Sequence, residues 1–107
     1  MVKVKNLSVF ETKEKMEREK DFKIIDVREN WEHEIGAIKN SIKMSLSRLV
    51  EDCASLDQSI EYGVICHSGV RSLQGAAFLQ SKGFKVFNIE GGIDKWSIDI
   101  DSSIDRY

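Results

Sequence analysis

An apolar run, Tyr62 to Ile65, passes straight into Cys66-His67-Ser68-Gly69-Val70-Arg71-Ser72, and a helical pattern follows from Ser72 to Lys82. This order is a strand feeding a helix through a short turn, and it restricts the chain more than any other feature. A cysteine at that junction faces the backbone N–H groups of the turn and the positive end of the helix. Successive N–H groups in such a turn form a concave anion site. These surroundings favour thiolate over thiol, and thiolate is the nucleophile; a free cysteine pKa of roughly 8.5 falls to roughly 3.5–7.5 in comparable settings. Gly69 lets the backbone turn tightly, and Arg71 closes the turn with a permanent charge and planar donors. A cysteine that merely ends a buried strand is commonly an inert core residue. The accompanying glycine, arginine and serine separate Cys66 from that case.

The rest of the chain alternates in the same way. Ser8-Val9-Phe10-Glu11 has capping-box spacing and starts a surface helix reaching about Glu19. Phe22 to Val27 is an apolar, β-branched run bounded by charge, which reads as a buried strand. Asn30 caps a short helix that Gly36 ends. Ser41 to Ser45 reads as a short strand, and Leu46, Leu49, Val50, Cys53 and Leu56 then form one apolar helix stripe. Gly83-Phe84 resembles a helix stop in which Phe84 touches Leu79. Lys85 to Ile89 is a further strand, and Gly91-Gly92 lead into a last short helix holding Trp96. Strands alternating with helices give an α/β fold, a central and mostly parallel sheet of about five strands covered on both faces. Ligands in such sheets bind at the carboxyl ends of the strands, where Cys66 lies. The 107 residues suit one domain, with no linker or repeat visible. The tail 97–107 is acidic, and its alternation of Ile98 and Ile100 with aspartates permits an edge strand or a loose end.

Four segments, in order, resemble the single-domain rhodanese family of sulfurtransferases. They are Ile24-Ile25-Asp26-Val27-Arg28-Glu29, Glu34-Ile35-Gly36-Ala37-Ile38, the cysteine loop, and Gly83 through Glu90-Gly91-Gly92-Ile93-Asp94-Lys95-Trp96. The resemblance runs from about residue 5 to Trp96 and implies a three-layer α/β/α rhodanese-like fold. The family often has His where Ala37 stands and Pro-Gly where Lys39-Asn40 stand; this chain has no proline. Those departures bear on turn geometry rather than on the cysteine loop.

The resemblance implies a two-step sulfur relay. The Cys66 thiolate attacks the outer sulfur of thiosulfate or a persulfide donor, and a thiophilic acceptor then takes that sulfur from the Cys66 persulfide. Such covalent catalysis splits one transfer into two easier ones. The N–H groups of His67, Ser68, Gly69, Val70, Arg71 and Ser72 would hold the anionic sulfur as an oxyanion hole holds its charge. The relay calls for no metal and no organic cofactor, and it needs a side chain at position 66 that solvent can reach. Cysteine-dependent phosphatases and arsenate reductases carry five residues between cysteine and arginine, whereas four intervene here. A smaller ring suits one sulfur atom better than a phosphate. The same residues also suit a persulfide carrier with one dedicated partner, or a non-catalytic binding module.

In the family the matching arginine is tied to the carboxylate of the first signature, so the resemblance pairs Arg71 with Asp26. Asp26 and Arg28 are read as structural support, Arg28 pairing with Glu32, Glu34 or Glu90. His67 is read as substrate rim, and the Ser68 and Ser72 hydroxyls as donors toward the sulfur or as helix caps, capping being the plainer role for Ser72. His33 is a surface histidine, Cys53 a buried inert thiol, and Trp31 and Trp96 packing residues. The two histidines and two cysteines lack zinc-ligand spacing.

Sixteen basic against eighteen acidic residues give a net charge of −2, without the concentrated basic face that nucleic acid requires. No apolar run approaches a membrane span or a signal-peptide core, which implies a cytoplasmic protein. Neither the natural donor, nor the acceptor, nor the oligomeric state is written in the sequence; loop residues offer little cationic lining beyond Arg71, so thiosulfate should bind weakly.

Overall fold

In a computed structural model describing residues 3–107, strands and helices alternate along almost the whole chain. The order is β1 (Lys5–Leu7), α1 (Val9–Arg18), β2 (Lys23–Asp26), α2 (Asn30–Ile35), β3 (Ile42–Lys43), α3 (Leu49–Asp52), β4 (Glu61–Ile65), α4 (Val70–Ser81), β5 (Lys85–Ile89) and α5 (Gly92–Asp99). The strands form one sheet in the order β1-β5-β4-β2-β3. Every strand pairing in it is parallel. The expected five-stranded α/β architecture is therefore present, with β4 at its centre.

Side chains on successive strand residues face opposite ways, and the core divides accordingly. Ile25, Tyr62, Val64, Cys66 and Val86 pack with Leu49, Ala76 and Leu79 on one side. Ile24, Ile65 and Ile89 pack with Val9, Ile93 and Trp96 on the other. Thus α4 and the segment around α3 cover one face, and α1 and α5 cover the other. Cys66 belongs to the α4 face.

The local signals explain the element ends. Ser8 Oγ accepts from the Glu11 N–H at 3.0 Å, and the Glu11 carboxylate accepts from the Ser8 N–H at 2.8 Å, a reciprocal capping box. After α4, Gly83 takes φ +96°. Its N–H donates to Gln80 O and the Phe84 N–H to Leu79 O, the paired bonds of a Schellman stop. Phe84 and Leu79 share the core as expected. Asn40 stands where the related sequences often have glycine. It adopts φ +67°, a left-handed conformation that Asn tolerates better than most residues, so the turn survives the departure.

Four expectations change. The fifth strand is β1, whose short polar segment Lys5-Asn6-Leu7 carries no alternating apolar signal; it is held by pairing with β5. The stripe from Leu46 to Leu56 is not one helix. It breaks into a 3-10 turn at Leu46–Arg48, α3, and a second 3-10 turn at Cys53–Ser55. Val50 is consequently 67% exposed, and Cys53 is half-buried rather than sealed. The cap of α2 is Glu29, one residue before Asn30. The tail forms no strand: Ile104 is buried and the Ser97 hydroxyl donates to Ile104 O at 2.5 Å. Among the described residues, no helix is long and apolar enough to cross a membrane.

Candidate active site around Cys66

Cys66 follows the last residue of β4, whose Ile65 carbonyl accepts from the Val27 N–H at 3.0 Å. The chain then reverses into α4 through Gly69 at φ +112°, a left-handed value that glycine reaches without steric cost. The turn aims the Gly69 N–H at Cys66 Sγ, 3.1 Å away. The thiol donates to Ser72 Oγ at 3.3 Å, and the Ser72 hydroxyl donates to Asn88 Oδ1 at 2.6 Å. Ser72 is fully buried in the first turn of α4. Of the loop N–H groups expected to ring the sulfur, that of Gly69 is the one hydrogen-bonded to Sγ among the described residues.

The start of α5 clamps the loop from the opposite side. The Cys66 carbonyl accepts from the Ile93 N–H at 2.8 Å and the His67 carbonyl from the Asp94 N–H at 3.2 Å. This approach requires Gly92: a Cβ there would fall 2.5 Å from Cys66 O and collide with the His67 carbonyl. Gly92 also holds φ +61°.

The charged residues pair differently from expectation. Arg71 meets Glu32, not Asp26: Nη1 lies 2.5 Å from Oε1 and Nη2 lies 2.7 Å from Oε2. Arg71 and Glu32 project from α4 and α2, so the pair bridges two helices at the site. The Arg71 hydrogen bonds lower the Glu32 pKa from 4.5 to about 2, against the opposing effect of burial. Its bonds to Glu32 raise the Arg71 pKa in turn. Asp26 binds its neighbour in sequence instead, with Arg28 Nε at 2.9 Å and Nη2 at 2.7 Å. Fully buried Arg28 also donates to the carbonyls of Glu32 and Gly36, at 3.2 and 2.7 Å. Its partner is thus neither the Glu32 carboxylate, nor Glu34, nor Glu90. Desolvation opposes its charge most strongly of any single effect, but Asp26 and Tyr107 together outweigh it and the Arg28 pKa is raised. His33 is not a surface residue; its side chain is buried and Nε2 lies 3.3 Å from Asp26 Oδ1.

Tyr107 brings the tail to this site. Its hydroxyl donates to Glu32 Oε2 at 2.6 Å and accepts from Arg28 Nη1 at 3.1 Å. Its ring stacks on His67, with centroids 4.3 Å apart and planes 15° apart. Trp31 meets the Tyr107 ring edge-on and is 59% exposed, so it is a rim residue rather than a packing one; Trp96 is buried as expected. Arg106 fixes the approach of the tail through Asp94, with Nε 2.8 Å from Oδ1. Burial raises the Tyr107 pKa above its ordinary value, with Arg28 opposing and Glu32 reinforcing. Sequence reasoning passed over Glu32, Asn88 and Tyr107 as site residues. Glu32 had a weak signal in its helical position beside the first signature, and Tyr107 had none.

Cys66 is 1% exposed. The expectation of a solvent-open thiol is therefore wrong here: the loop is clamped by the start of α5, and Tyr107 stacks on its His67. Cys53 and Cys66 are both free thiols. No cluster of His, Cys, Asp or Glu suited to a metal ion occurs among the described residues. What the arrangement offers chemically is one buried free thiol, one backbone donor, one hydroxyl and an arginine whose charge is already matched.

The profile of the rhodanese-like domain family matches residues 8–99. YtwF of Bacillus subtilis (strain 168), provisionally named a sulfurtransferase, is 36% identical over 95 residues, covering 89% of this chain and 92% of that protein. YrkF of the same organism, provisionally named a sulfur carrier protein, is 30% identical over 95 residues; 88% of this chain spans about half, 51%, of that protein. The crystal structure of a rhodanese-related protein from Thermoplasma volcanium superposes with a TM-score of 0.83 at 32% identity, covering 90% of this chain and 93% of that one.

Proposed function

The chain belongs to the rhodanese-like sulfurtransferase family, and on that premise we propose that it acts as a single domain moving sulfane sulfur through a persulfide on Cys66. The thiolate attacks the outer sulfur of the donor. A sulfur–sulfur bond forms, and the donor's own bond to that sulfur breaks with its electron pair leaving on sulfite or a thiolate. An acceptor thiolate then attacks the outer sulfur of the Cys66 persulfide, takes it, and returns Cys66 as thiolate. Neither step calls for a metal or a cofactor.

The observation carrying this reading is the hydrogen-bonded position of Sγ, which receives the Gly69 N–H and lies beside Ser72 at the start of α4. The first N–H groups of a helix lack intrahelical partners, so those of Val70, Arg71 and Ser72 are candidates to hold the outer sulfur. His67 and Ser68 would form the rim, while Asp26 and Arg28 support the strand end. Arg71 is held by Glu32, so its charge serves the loop more than it attracts an anion. That weighs against a phosphatase, which needs a free guanidinium for the phosphate. It equally favours thiols and persulfides, small or protein-borne, over the thiosulfate dianion. Because the thiol is closed over, donor entry requires the cover to move, and Tyr107 is attached to it by side-chain contacts that can be broken and remade.

Intact mass after incubation tests the reading. Wild type should gain one sulfur atom from a low-molecular-weight persulfide, and more slowly from thiosulfate, while Cys66→Ser gains none. Equal labelling of both proteins, or aryl phosphate turnover in place of labelling, would reject it.

A further inference from the structure

A file of polar side chains leads away from the thiol across the α4 face of the sheet to its edge. Cys66 Sγ donates to Ser72 Oγ at 3.3 Å, Ser72 Oγ donates to Asn88 Oδ1 at 2.6 Å, and Asn88 Nδ2 donates to Asn6 Oδ1 at 3.0 Å. Cys66 and Ser72 are buried and Asn88 is 5% exposed, whereas Asn6 lies exposed on the edge strand β1. Asn88 faces α4 because it alternates with Phe87 and Ile89, and its partner in register on β4 is Val64, two residues before Cys66. The sulfur relay itself makes no use of Asn88 or Asn6.

The file has a direction, because a hydroxyl has one proton. With Cys66 as thiol, the S–H points to Ser72 and the Ser72 O–H points to Asn88. Once Cys66 becomes thiolate it can only accept. Gly69 remains one donor, and Ser72 becomes a second only by turning its hydroxyl away from Asn88 Oδ1. A buried acceptor without a partner is unfavourable. An amide escapes this by rotating half a turn, so that Nδ2 donates to Ser72 Oγ and Oδ1 faces Asn6. The exposed Asn6 amide can rotate likewise and present its own Nδ2. Every bond in the file then runs the opposite way.

We propose that Asn88 is a positioning residue, which sets the direction of the Ser72 hydroxyl and thereby the proportion of Cys66 present as thiolate, with Asn6 as the reversible end of the file. The proposal rests on Cys66 being the nucleophile. Asparagine is suited to this place because it donates and accepts; aspartate would only accept and leucine would do neither.

The charged and titratable groups around Cys66 lie elsewhere. They are Arg71 of α4 with its partner Glu32 of α2, His67 in the loop, Asp94 of α5 near His67, the Asp26–Arg28 pair at the end of β2, and Tyr107 of the tail. A change at Asn88 leaves all of them in place.

Alkylation of Cys66 by iodoacetamide, followed as a function of pH, reads thiolate directly and does not depend on sulfur transfer. Asn88→Asp should pin the Ser72 hydroxyl, move the profile upward by at least one pH unit and slow alkylation at pH 7 about tenfold. Asn88→Leu leaves Ser72 free to donate to the thiolate, so its profile should move the other way. In Ser72→Ala, most of the Asn88→Asp shift should vanish, since only the added charge remains. Shifts of the same sign in Asn88→Asp and Asn88→Leu would overturn the proposal, as would an Asn88→Asp shift equally large with and without the hydroxyl. Should a buried carboxylate prevent folding, Asn88→Leu alone decides by the sign of its shift. Loss of persulfide formation with an intact Asn88 effect on alkylation would reject the sulfur relay and leave this inference standing.

Discussion

The Arg71 guanidinium and the Glu32 carboxylate, 39 positions apart in sequence, meet through two parallel hydrogen bonds of 2.5 and 2.7 Å. This fork geometry is the strong form of a charged pair, and it ties α2 to the first turn of α4. The Tyr107 hydroxyl adds a third bond to the same carboxylate. The permanent charge that closes the cysteine loop is therefore balanced within the fold itself.

Acid should weaken the fold through Glu32. Its pKa falls from 4.5 to about 2, chiefly because Arg71 hydrogen-bonds it. A carboxyl depressed in this way stabilises the folded state fully above its unfolded value, near pH 4.5, and that stability is lost as pH falls toward 2. The shift corresponds to roughly 3 kcal/mol at neutral pH. Urea unfolding of wild type at pH 7, 4 and 3 should show this loss, and Glu32→Gln should start lower and decline less. Parallel declines in the two proteins would contradict the assignment.

Matched charge also predicts the donor preference. With Arg71 occupied by Glu32, the thiosulfate Michaelis constant should exceed about 1 mM, the upper end of the usual range. Glu32→Gln removes the competing carboxylate, so thiosulfate should bind several-fold better while a neutral persulfide donor is unaffected. Steady-state kinetics with both donors decides. A low-micromolar value for wild type would show that Arg71 binds the dianion despite its partner.

The sequence made legible what local chemistry dictates. The capping box at Ser8, the Gly83-Phe84 stop and the strand–turn–helix at Cys66 are short-range patterns, and each appears where the sequence put it. The strand β1 was hidden because an edge strand held by backbone pairing needs no apolar alternation. The Leu46–Leu56 stripe misled because apolar residues at helical spacing also fit two 3-10 turns around a short helix. The charge pairs were out of reach for another reason. Asp26, Arg28, Glu32 and Arg71 offer several chemically equivalent pairings, and only the tertiary arrangement of α2 beside α4 selects one. Tyr107 reaches the site through contacts 75 positions away from Glu32, beyond any periodic signal.

Gly92→Ala should damage the site more than its distance in sequence from Cys66 suggests. A methyl group there would run into the Cys66 and His67 carbonyls, which are backbone atoms held by Ile93 and Asp94 N–H groups, at a φ of +61° that alanine disfavours. The change should cost about 3 kcal/mol or more, as strained substitutions at special backbone positions do. The thermal midpoint should fall, and alkylation of the buried Cys66 should become faster as the clamp loosens. Wild-type stability in Gly92→Ala would mean the clamp is looser than its geometry.

Tyr107→Ala should open the site. The ring covers His67 at 4.3 Å and the hydroxyl joins Glu32 and Arg28, yet the residue itself is partly exposed, so its removal leaves little core to refill. Cys66 is 1% exposed, so its rate of reaction with a neutral alkylating agent is the product of the time the site spends open, which does not change with pH, and the fraction present as thiolate, which does. Losing the ring should therefore raise the alkylation rate several-fold at fixed pH. Tyr107→Phe separates the two attachments, because it keeps the stack and loses both hydrogen bonds. It should fall between wild type and Tyr107→Ala, with a loss of stability of about 1 kcal/mol for the missing bonds. If both variants react at the wild-type rate, the tail does not govern access, and the barrier to Cys66 lies in the loop and α5.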